Sequence, residues 1–200
     1  MGTSFRLAPG AELADSPAAE PRSRGRSSAD LRDTLAKFAS GVTVTCTRAP
    51  DGEPIGMTLT AFSSLSLNPP LVLVCIARQA YSFPHFSRCQ NFGISVLSAD
   101  QGDVATRFAT AGVAKFIDDC HFEGAATGVP LIHGSLANLE CERRESLTGG
   151  DHVILIGRVV GSDCRDGEPL TFFNRTMGRF QVAGPDSRPA LTAPYALREE

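Results

Sequence analysis

The sequence lacks the motifs that mark several large classes of enzyme. It has no G-x-G-x-x-G fingerprint, no Walker phosphate-binding loop and no G-x-S-x-G elbow. It also shows no internal repeat and no alternation of strand-like and helix-like segments. These absences argue against a nicotinamide site of the Rossmann type, a P-loop nucleotidase and a serine hydrolase. They also argue against a parallel, doubly wound sheet.

The chain also lacks a strong charge and long hydrophobic runs. Its formal net charge is −3 and its basic residues form no cluster, so we expect no nucleic-acid partner. The longest apolar run, residues 71–77, is far too short to span a bilayer. The N-terminus has no apolar core of the kind found in secretory signals. We therefore predict a cytoplasmic protein that does not bind membranes.

The six cysteines include no C-x-x-C pair. A structural zinc site is therefore not expected, and no other metal site is predicted. In a chain of this length without a secretory signal, the thiols are expected to be reduced. Cys46, Cys75 and Cys141 lie in strand-like runs, which predicts that they are small core residues.

What the chain does contain is enough apolar sequence for one domain. Of its 200 residues, 42% are hydrophobic. Residues 1–27 are rich in Ala, Pro, Ser and Arg, which predicts a flexible arm. Residues 28–181 carry the periodic patterns of a domain. Prolines and polar residues in 182–200 indicate a C-terminal tail.

The patterns within the domain predict short strands with a few helices. Ser27 or Ser28 caps a helix that places Leu31, Leu35 and Phe38 against the sheet and ends at Gly41. Two more helices are predicted, at 82–88 and at 100–109 with Asp100 as the cap. Strands are predicted at 42–47, 55–60, 71–77, 92–97, 136–144, 152–161 and 170–173, the first of them half-buried. Six or seven short strands with two or three helices fit a closed antiparallel barrel.

Alternation along 136–144 predicts which side chains of that strand face the core. Three positions are expected to point inward and three outward. The inward set is Ala137, Leu139 and Cys141, and the outward set is Asn138, Glu140 and Glu142.

The stretch from Gly56 to Leu73 is rich in hydroxyl side chains. A strand with alternating Thr residues leads into a serine-rich bend before the rigid pair Pro69-Pro70. One interpretation is that Thr58, Thr60, Ser63 and Ser64 bind a phosphorylated cofactor. The other is that Thr and Ser simply suit a strand and turn of a barrel. Local chemistry leaves both open.

With its neighbours, this stretch resembles the flavin reductase family, whose fold is the FMN-binding split barrel. The resemblance covers roughly residues 31–180 and rests on four blocks of sequence. The blocks are Phe38-Ala-Ser-Gly-Val-Thr-Val-Thr45, Gly56-Met-Thr with Phe62-Ser-Ser-Leu-Ser-Leu-Asn-Pro-Pro-Leu71, Leu139-Glu-Cys141, and Gly150-Asp-His152. It implies a single, mainly β domain with helical additions, built as a closed antiparallel split β-barrel.

The resemblance also implies a function and partners. The chain is expected to be an NAD(P)H:flavin oxidoreductase that reduces FAD or FMN and supplies the reduced flavin to a separate flavin-dependent monooxygenase. A homodimer is expected too, since such barrels build their flavin site across a two-fold interface. Hydride transfer from the nicotinamide to the flavin requires the flat rings of the two cofactors to stack and needs no general base.

The resemblance further implies the site residues. His152 is the expected catalytic residue, which orients the nicotinamide. The expected cofactor-binding residues are Met57, Thr58, Leu59, Thr60, Ser63, Ser64, Ala77, Arg78, Ser82, Phe86, Phe116, His152, Arg179 and Phe180.

Two other functions remain open from the sequence. The first is a non-catalytic flavin-binding barrel that acts as a sensor or store. The second is a split-barrel oxidase of a phosphorylated vitamin, which would need more basic residues than this chain offers. The absence of a basic cluster for a 2′-phosphate favours NADH over NADPH.

Overall fold

Strands are the main regular structure of the described chain. A computed structural model describes residues 27–181, which form twelve strands and three helices. The helices are α1 (Ser28–Leu35), α2 (Phe83–Phe86) and α3 (Gly102–Ala109). The strands are β1 (Ser40–Gly41), β2 (Thr43–Arg48), β3 (Pro54–Leu59), β4 (Phe62–Leu67), β5 (Pro70–Ala77), β6 (Asn91–Val96), β7 (His121–Glu123), β8 (Pro130–Ile132), β9 (Ala137–Gly149), β10 (His152–Cys164), β11 (Leu170–Phe173) and β12 (Thr176–Arg179).

Seven of the strands form one antiparallel sheet in the order β3-β2-β6-β9-β10-β5-β4. A three-stranded sheet, β1-β11-β12, and the β7-β8 pair lie beside it. The fold is therefore mainly β with few helices, as predicted from the sequence. The predicted arm and tail lie outside the described residues, apart from Ser27. Within residues 27–181, no helix is long and apolar enough to cross a bilayer.

The two edge strands of the large sheet come close together at one corner. Only Thr60 and Ala61 connect the end of β3 to the start of β4, although these strands stand at opposite ends of the sheet order. Since each residue extends at most about 3.6 Å, the sheet must curl until its edges approach there. No strand pairing joins β3 to β4 within the described range, so the closed barrel predicted from the sequence is not shown.

Two apolar clusters stabilise this curled sheet. One contains buried side chains of β5, β6, β9 and β10, such as Val74, Phe92 and Leu155. The other lies between β2 and α3 and includes Val44, Cys46 and Phe108. Burial of each large apolar side chain stabilises the fold by about 1.5–3 kcal/mol, because the side chain leaves water.

Strand β2 is buried on both faces, so the prediction of a half-buried strand is wrong. Its threonines escape the cost of burial where they find backbone acceptors. Thr43 Oγ1 donates to Leu59 O at 3.0 Å, and Thr47 Oγ1 donates to Asn91 O at 2.8 Å. A Val–Thr alternation therefore does not distinguish a strand with one solvated face from a strand that is buried on both faces.

Helix α1 begins as predicted but does not pack on the sheet. Ser27 and Asp30 form a capping box at its start. It ends at Leu35 rather than at Gly41, and its predicted inward face is exposed: Leu31 by 52%, Leu35 by 63% and Phe38 by 79%. Polar contacts to the β11–β12 turn hold the helix. Arg175 pairs with Asp33 at 2.5 Å and Lys37 donates to Asn174 Oδ1 at 2.9 Å.

Two further sequence predictions are wrong in detail. Gln101 rather than Asp100 occupies the N-cap position of α3, and the Asp100 carboxylate instead accepts a hydrogen bond from Ser98 Oγ. On β9, Asn138 and Glu140 are buried rather than solvated. The segment that carries β7 and β8 covers that face, and the Glu140 carboxylate accepts hydrogen bonds from the Ala126 and Thr127 amides.

Candidate functional site

The serine-rich segment before the double proline is a strand rather than a bend. Residues 62–67 form β4, which pairs antiparallel with β5 across the turn at Asn68 and Pro69. Ser63 and Ser64 are therefore exposed strand residues. The bend lies earlier, at Thr60 and Ala61, where the chain crosses from β3 to β4.

Two adjoining cavities open at this bend, and together we call them the cleft. Their volumes are about 330 Å³ and 670 Å³, and their shared walls are Thr60, Ala61, Cys75 and Phe172. Small-molecule sites fall in this range of volume. The smaller cavity is also lined by residues 57–59, Ala77 and His152, among others. The larger one extends along Leu35, Phe38, Ser63 and Leu73 towards α1.

The outer face of β5 forms the apolar floor of the cleft. Val72, Val74 and Ile76 are buried in the core, whereas Leu73, Cys75 and Ala77 on the opposite face are only half-buried. An apolar strand face of this kind needs a cover, because exposed apolar patches are costly in water. Nothing within residues 27–181 covers it fully.

The three cysteines that were predicted to be core residues divide between the core and the cleft. Cys46 and Cys141 are core residues, as predicted, and burial raises the pKa of both thiols, that of Cys141 to about 12. Cys75 is not in the core, and the prediction for it is wrong: it lines both cavities of the cleft. The sequence signal was present, because residues 71–77 are apolar on both faces although only one face joins the core.

His152 stands at the mouth of the cleft, where β10 begins. It pairs with Ala77 at the end of β5, and its ring Nδ1 lies 2.7 Å from Asp151 Oδ1. The hydrogen bond from His152 holds the pKa of the Asp151 carboxyl below its ordinary value. This contact engages Nδ1 of the ring and leaves Nε2 available to another partner.

Thr58 has its hydroxyl proton committed. Its Oγ1 donates to Ala105 O of α3 at 2.6 Å. Towards a ligand, this oxygen can therefore only accept a hydrogen bond. Strand β3 is also an edge strand, so backbone groups on its outer side are available at the cleft.

A third cavity, of about 520 Å³, lies at the other end of β3, and we call it the Lys115 cavity. Ser82 and Phe116 line it, as do Gly56 and Lys115. It adjoins the cleft through one contact, since Ser82 Oγ lies 3.5 Å from the sulfur of Met57.

The structure thus brings most of the predicted site residues together, but not all. Those in the cleft are Met57, Thr58, Leu59, Thr60, Ser63, Ala77 and His152, while Ser82 and Phe116 are in the Lys115 cavity. Arg78 lies beside Ala77, where its guanidinium donates to Thr148 Oγ1 at 3.0 Å.

Four predicted residues lie elsewhere. Phe86 is buried in the core, and Ser64 faces away from the cavities described here on exposed β4. Arg179 pairs with Glu168 at 3.3 Å in a separate surface depression, and Phe180 is exposed beyond β12.

Sequence reasoning missed several residues that line these cavities. Phe172 and Met177 reach the cleft from the β1-β11-β12 sheet, about a hundred positions from β3 in the chain. No local pattern could place them there. Lys115 lies in the segment with the least regular pattern, although a lone lysine among glycines and apolar residues was a visible signal.

The donor groups of the cleft suit a flat, largely apolar ligand with a polar rim. Its walls combine aliphatic and aromatic side chains with a few hydroxyls, one imidazole and, in the larger cavity, the guanidinium groups of Arg32 and Arg175. No group of three or more potential metal ligands occurs among the described residues. An isoalloxazine ring with its polar edge fits this set of residues.

Comparison with protein families agrees with this chemistry. The model of the flavin reductase like domain matches residues 35–181. That range includes every residue that lines the cleft or the Lys115 cavity except Arg32, which lies on α1 and lines the larger cavity of the cleft.

Several similar proteins are named as flavin reductases or as reductase components of monooxygenases. The chain is 44% identical over 156 residues to the FMN reductase (NADH) SmoA of Agrobacterium fabrum, covering 78% of this chain and 88% of that protein. It is 33% identical over 166 residues to the reductase subunit HsaB of a flavin-dependent monooxygenase of Rhodococcus jostii, covering 82% of each. The structure of the NADH:FAD oxidoreductase SgcE6 of Streptomyces globisporus with NAD and FAD fragments matches with a TM-score of 0.73 and 35% identity, covering 80% of this chain and 94% of that one.

Proposed function

Because the chain belongs to the flavin reductase like domain family, we propose that it is an NADH-dependent flavin reductase that binds its flavin in the cleft. The observation that carries this proposal is the uncovered apolar face of β5, which meets β3 and His152 in one cleft. A flavin ring would cover that face. The absence of Rossmann, P-loop and serine-hydrolase motifs agrees with this proposal. Hydride transfer to a flavin needs a cleft that positions two rings rather than a catalytic acid or base.

The residues of the cleft have separable tasks. When bound, a flavin supplies a ring that takes up a hydride from reduced nicotinamide. Thr58 Oγ1 accepts a hydrogen bond from the polar rim of that ring, and Thr60 gives the rim a second hydroxyl. Leu73, Cys75 and Phe172 exclude water from its apolar part. His152, oriented by Asp151, binds and orients the nicotinamide through Nε2.

The reduced flavin is proposed to serve a partner monooxygenase. HsaB is named as the reductase subunit of a flavin-dependent monooxygenase, and the reductase component of a nitrophenol monooxygenase is 36% identical to this chain over 153 residues. The relatives are named for FMN in one case and FAD in another, so the proposal includes both flavins. It also includes a cytoplasmic location, where NADH is supplied.

The proposal also includes closure of the sheet into a barrel and association of two copies into a homodimer. The short connection between β3 and β4 supports closure, because it holds the two sheet edges near each other. The apolar side chains of α1 support the dimer, since Leu31 and Leu35 are exposed and Leu35 lines the larger cavity of the cleft. A second copy that covers them would also wall the larger cavity.

The test is NADH consumption, followed by absorbance, with FMN, FAD or no added flavin. We expect rapid oxidation of NADH with either flavin, slower oxidation of NADPH, and almost none without flavin. A protein that retains bound flavin but consumes no NADH would be a flavin-binding barrel without activity. That result would contradict the proposed function.

A further inference from the structure

Lys115 is a positively charged side chain in a cavity of its own, next to the cleft. Resting on the proposed function, we propose that the Lys115 ammonium binds the phosphate at the end of the flavin's ribityl chain. FMN and FAD share this phosphate and riboflavin lacks it. The role would make Lys115 the residue that selects phosphorylated flavins.

The backbone holds the Lys115 ammonium in a fixed place. Its Nζ donates to Phe108 O at 2.9 Å and to Gly56 O at 3.2 Å, so α3 and β3 both position it. An ammonium has three N–H donors, so one remains for a ligand in the cavity. A pre-positioned donor loses little entropy when it binds.

The charge of Lys115 lacks a counter-ion in the described part of the chain. Among residues 27–181, no carboxylate lies within ion-pair distance of Nζ. Desolvation lowers the pKa of Lys115, which reflects the cost of holding a charge there. A bound phosphate would offset that cost.

The position of the cavity matches the length of a flavin chain. Ile55 and Gly56 line the Lys115 cavity, and residues 57–60, which continue the same segment, line the cleft. At about 3.3 Å per strand residue, the two sites lie within roughly 10 Å of each other. A ring in the cleft can therefore extend its ribityl chain past Met57 and Ser82 to Lys115.

The other polar groups of the cavity fit one phosphate group next to Lys115, the one that FMN and FAD share. Ser82 and Tyr81 offer hydroxyls next to Lys115. Lys115 is the one cation among the residues that line the cavity, while the Glu53 carboxylate also lines it and would repel additional negative charge. The geometry thus suits one phosphate ester bound by one ammonium and nearby hydroxyls.

The experiment compares the dissociation constants of riboflavin, FMN and FAD, measured by quenching of flavin fluorescence. K115Q is expected to raise the dissociation constants of FMN and FAD by about tenfold or more and to leave that of riboflavin unchanged, because one charged hydrogen bond is lost. K115R, which keeps the charge, should retain most of the preference for FMN. The control is R144Q, which removes an exposed positive charge on β9 away from the residues that line the cleft and the Lys115 cavity.

The riboflavin measurement separates a phosphate contact from a structural effect. Equal weakening of all three flavins, or no weakening of any, would overturn the proposal. A rise only in the KM for NADH would also overturn it, because it would assign Lys115 to the phosphates of the nicotinamide nucleotide. Weakening of FAD alone would overturn it as well.

A second measurement covers the case in which K115Q does not fold. For the wild-type protein, increasing salt should weaken FMN binding and leave riboflavin binding unchanged; equal salt dependence would contradict the proposal. The proposed function fails separately, if the wild-type protein binds no flavin or oxidises no NADH. If K115Q binds FMN like the wild type while the wild type reduces FMN, only the role of Lys115 is lost.

Discussion

His152 is the side chain on which the proposed orientation of the nicotinamide depends. We expect H152A to raise the KM for NADH and slow flavin reduction, by about tenfold overall, because a hydrogen bond to the bound dinucleotide is lost. Steady-state kinetics with NADH and FMN would measure both parameters. The matched control is H133A, since His133 is exposed and stacks on Phe122, 4.9 Å between ring centroids, outside the cleft. Unchanged kinetics in H152A would remove His152 from the site.

Single residues show which parts of the site a sequence can reveal. The threonines of β3 and the histidine of β10 are visible as motifs, and the structure puts them in one cleft. The surroundings of Cys75 and Glu140 are not visible in this way, because alternation separates the two faces of a strand but does not show what covers each face. To place Cys75 correctly, one must know that the core does not cover its face of β5. To place Glu140, one must know the position of a loop more than ten residues away in the chain.

The contact between β3 and α3 positions both the cleft and Lys115. Gly56 allows it, since a Cβ there would lie 2.6 Å from Phe108 Cε1 and 3.1 Å from Cys46 Sγ. We expect G56A to lower the free energy of unfolding by about 1–3 kcal/mol through overpacking. Denaturant unfolding would measure it.

The control for that prediction is a glycine with space around it. Gly102, at the start of α3, has no atom within 4 Å of a built Cβ. We expect G102A to be neutral or slightly stabilising, because Ala is favoured over Gly in a helix by about 1 kcal/mol. Equal stability of G56A and the wild type would mean that β3 and α3 are less tightly packed than described.

Helix α1 exposes apolar side chains that no part of residues 27–181 covers. We expect L35E to convert a dimer into a monomer, because it places a charge at the proposed interface. Light scattering in solution would measure the mass. A29E, which adds the same charge to the same helix about half a turn away from Leu31 and Leu35, should stay dimeric. A monomeric wild-type protein would contradict the proposed dimer.

Most strands and helices were predictable, whereas their partners were not. The hairpin of β2 and β3, strand β5 and the turn after β9 follow from apolar alternation and turn residues. Strand β4 was hidden, since a serine-rich run before two prolines is typical of a loop. It becomes a strand because the turn at Asn68 and Pro69 returns the chain alongside β5. Long-range pairing thus overrode local propensity.

The described part of the molecule is a curled sheet that leaves one apolar face uncovered. Its large sheet supplies the floor of the cleft, the small β1-β11-β12 sheet supplies a wall, and α1 stands at the rim. Family membership was predictable from four short blocks of sequence, and the match to residues 35–181 confirms it. The predicted closure of the barrel stays a prediction, because no strand pairing joins β3 to β4 within residues 27–181.

The central claim is that the cleft binds the flavin, and filling the cleft tests it most directly. Ala61 is exposed on the wall shared by both cavities, so A61F would occupy the cleft without disturbing the core. A125F makes the same change at another exposed alanine that lines none of the cavities described here. Dissociation constants for FMN, measured by fluorescence quenching, should rise by about tenfold or more in A61F and stay unchanged in A125F, with thermal unfolding unaltered in both. An A61F protein that binds FMN as tightly as the wild type would contradict the account.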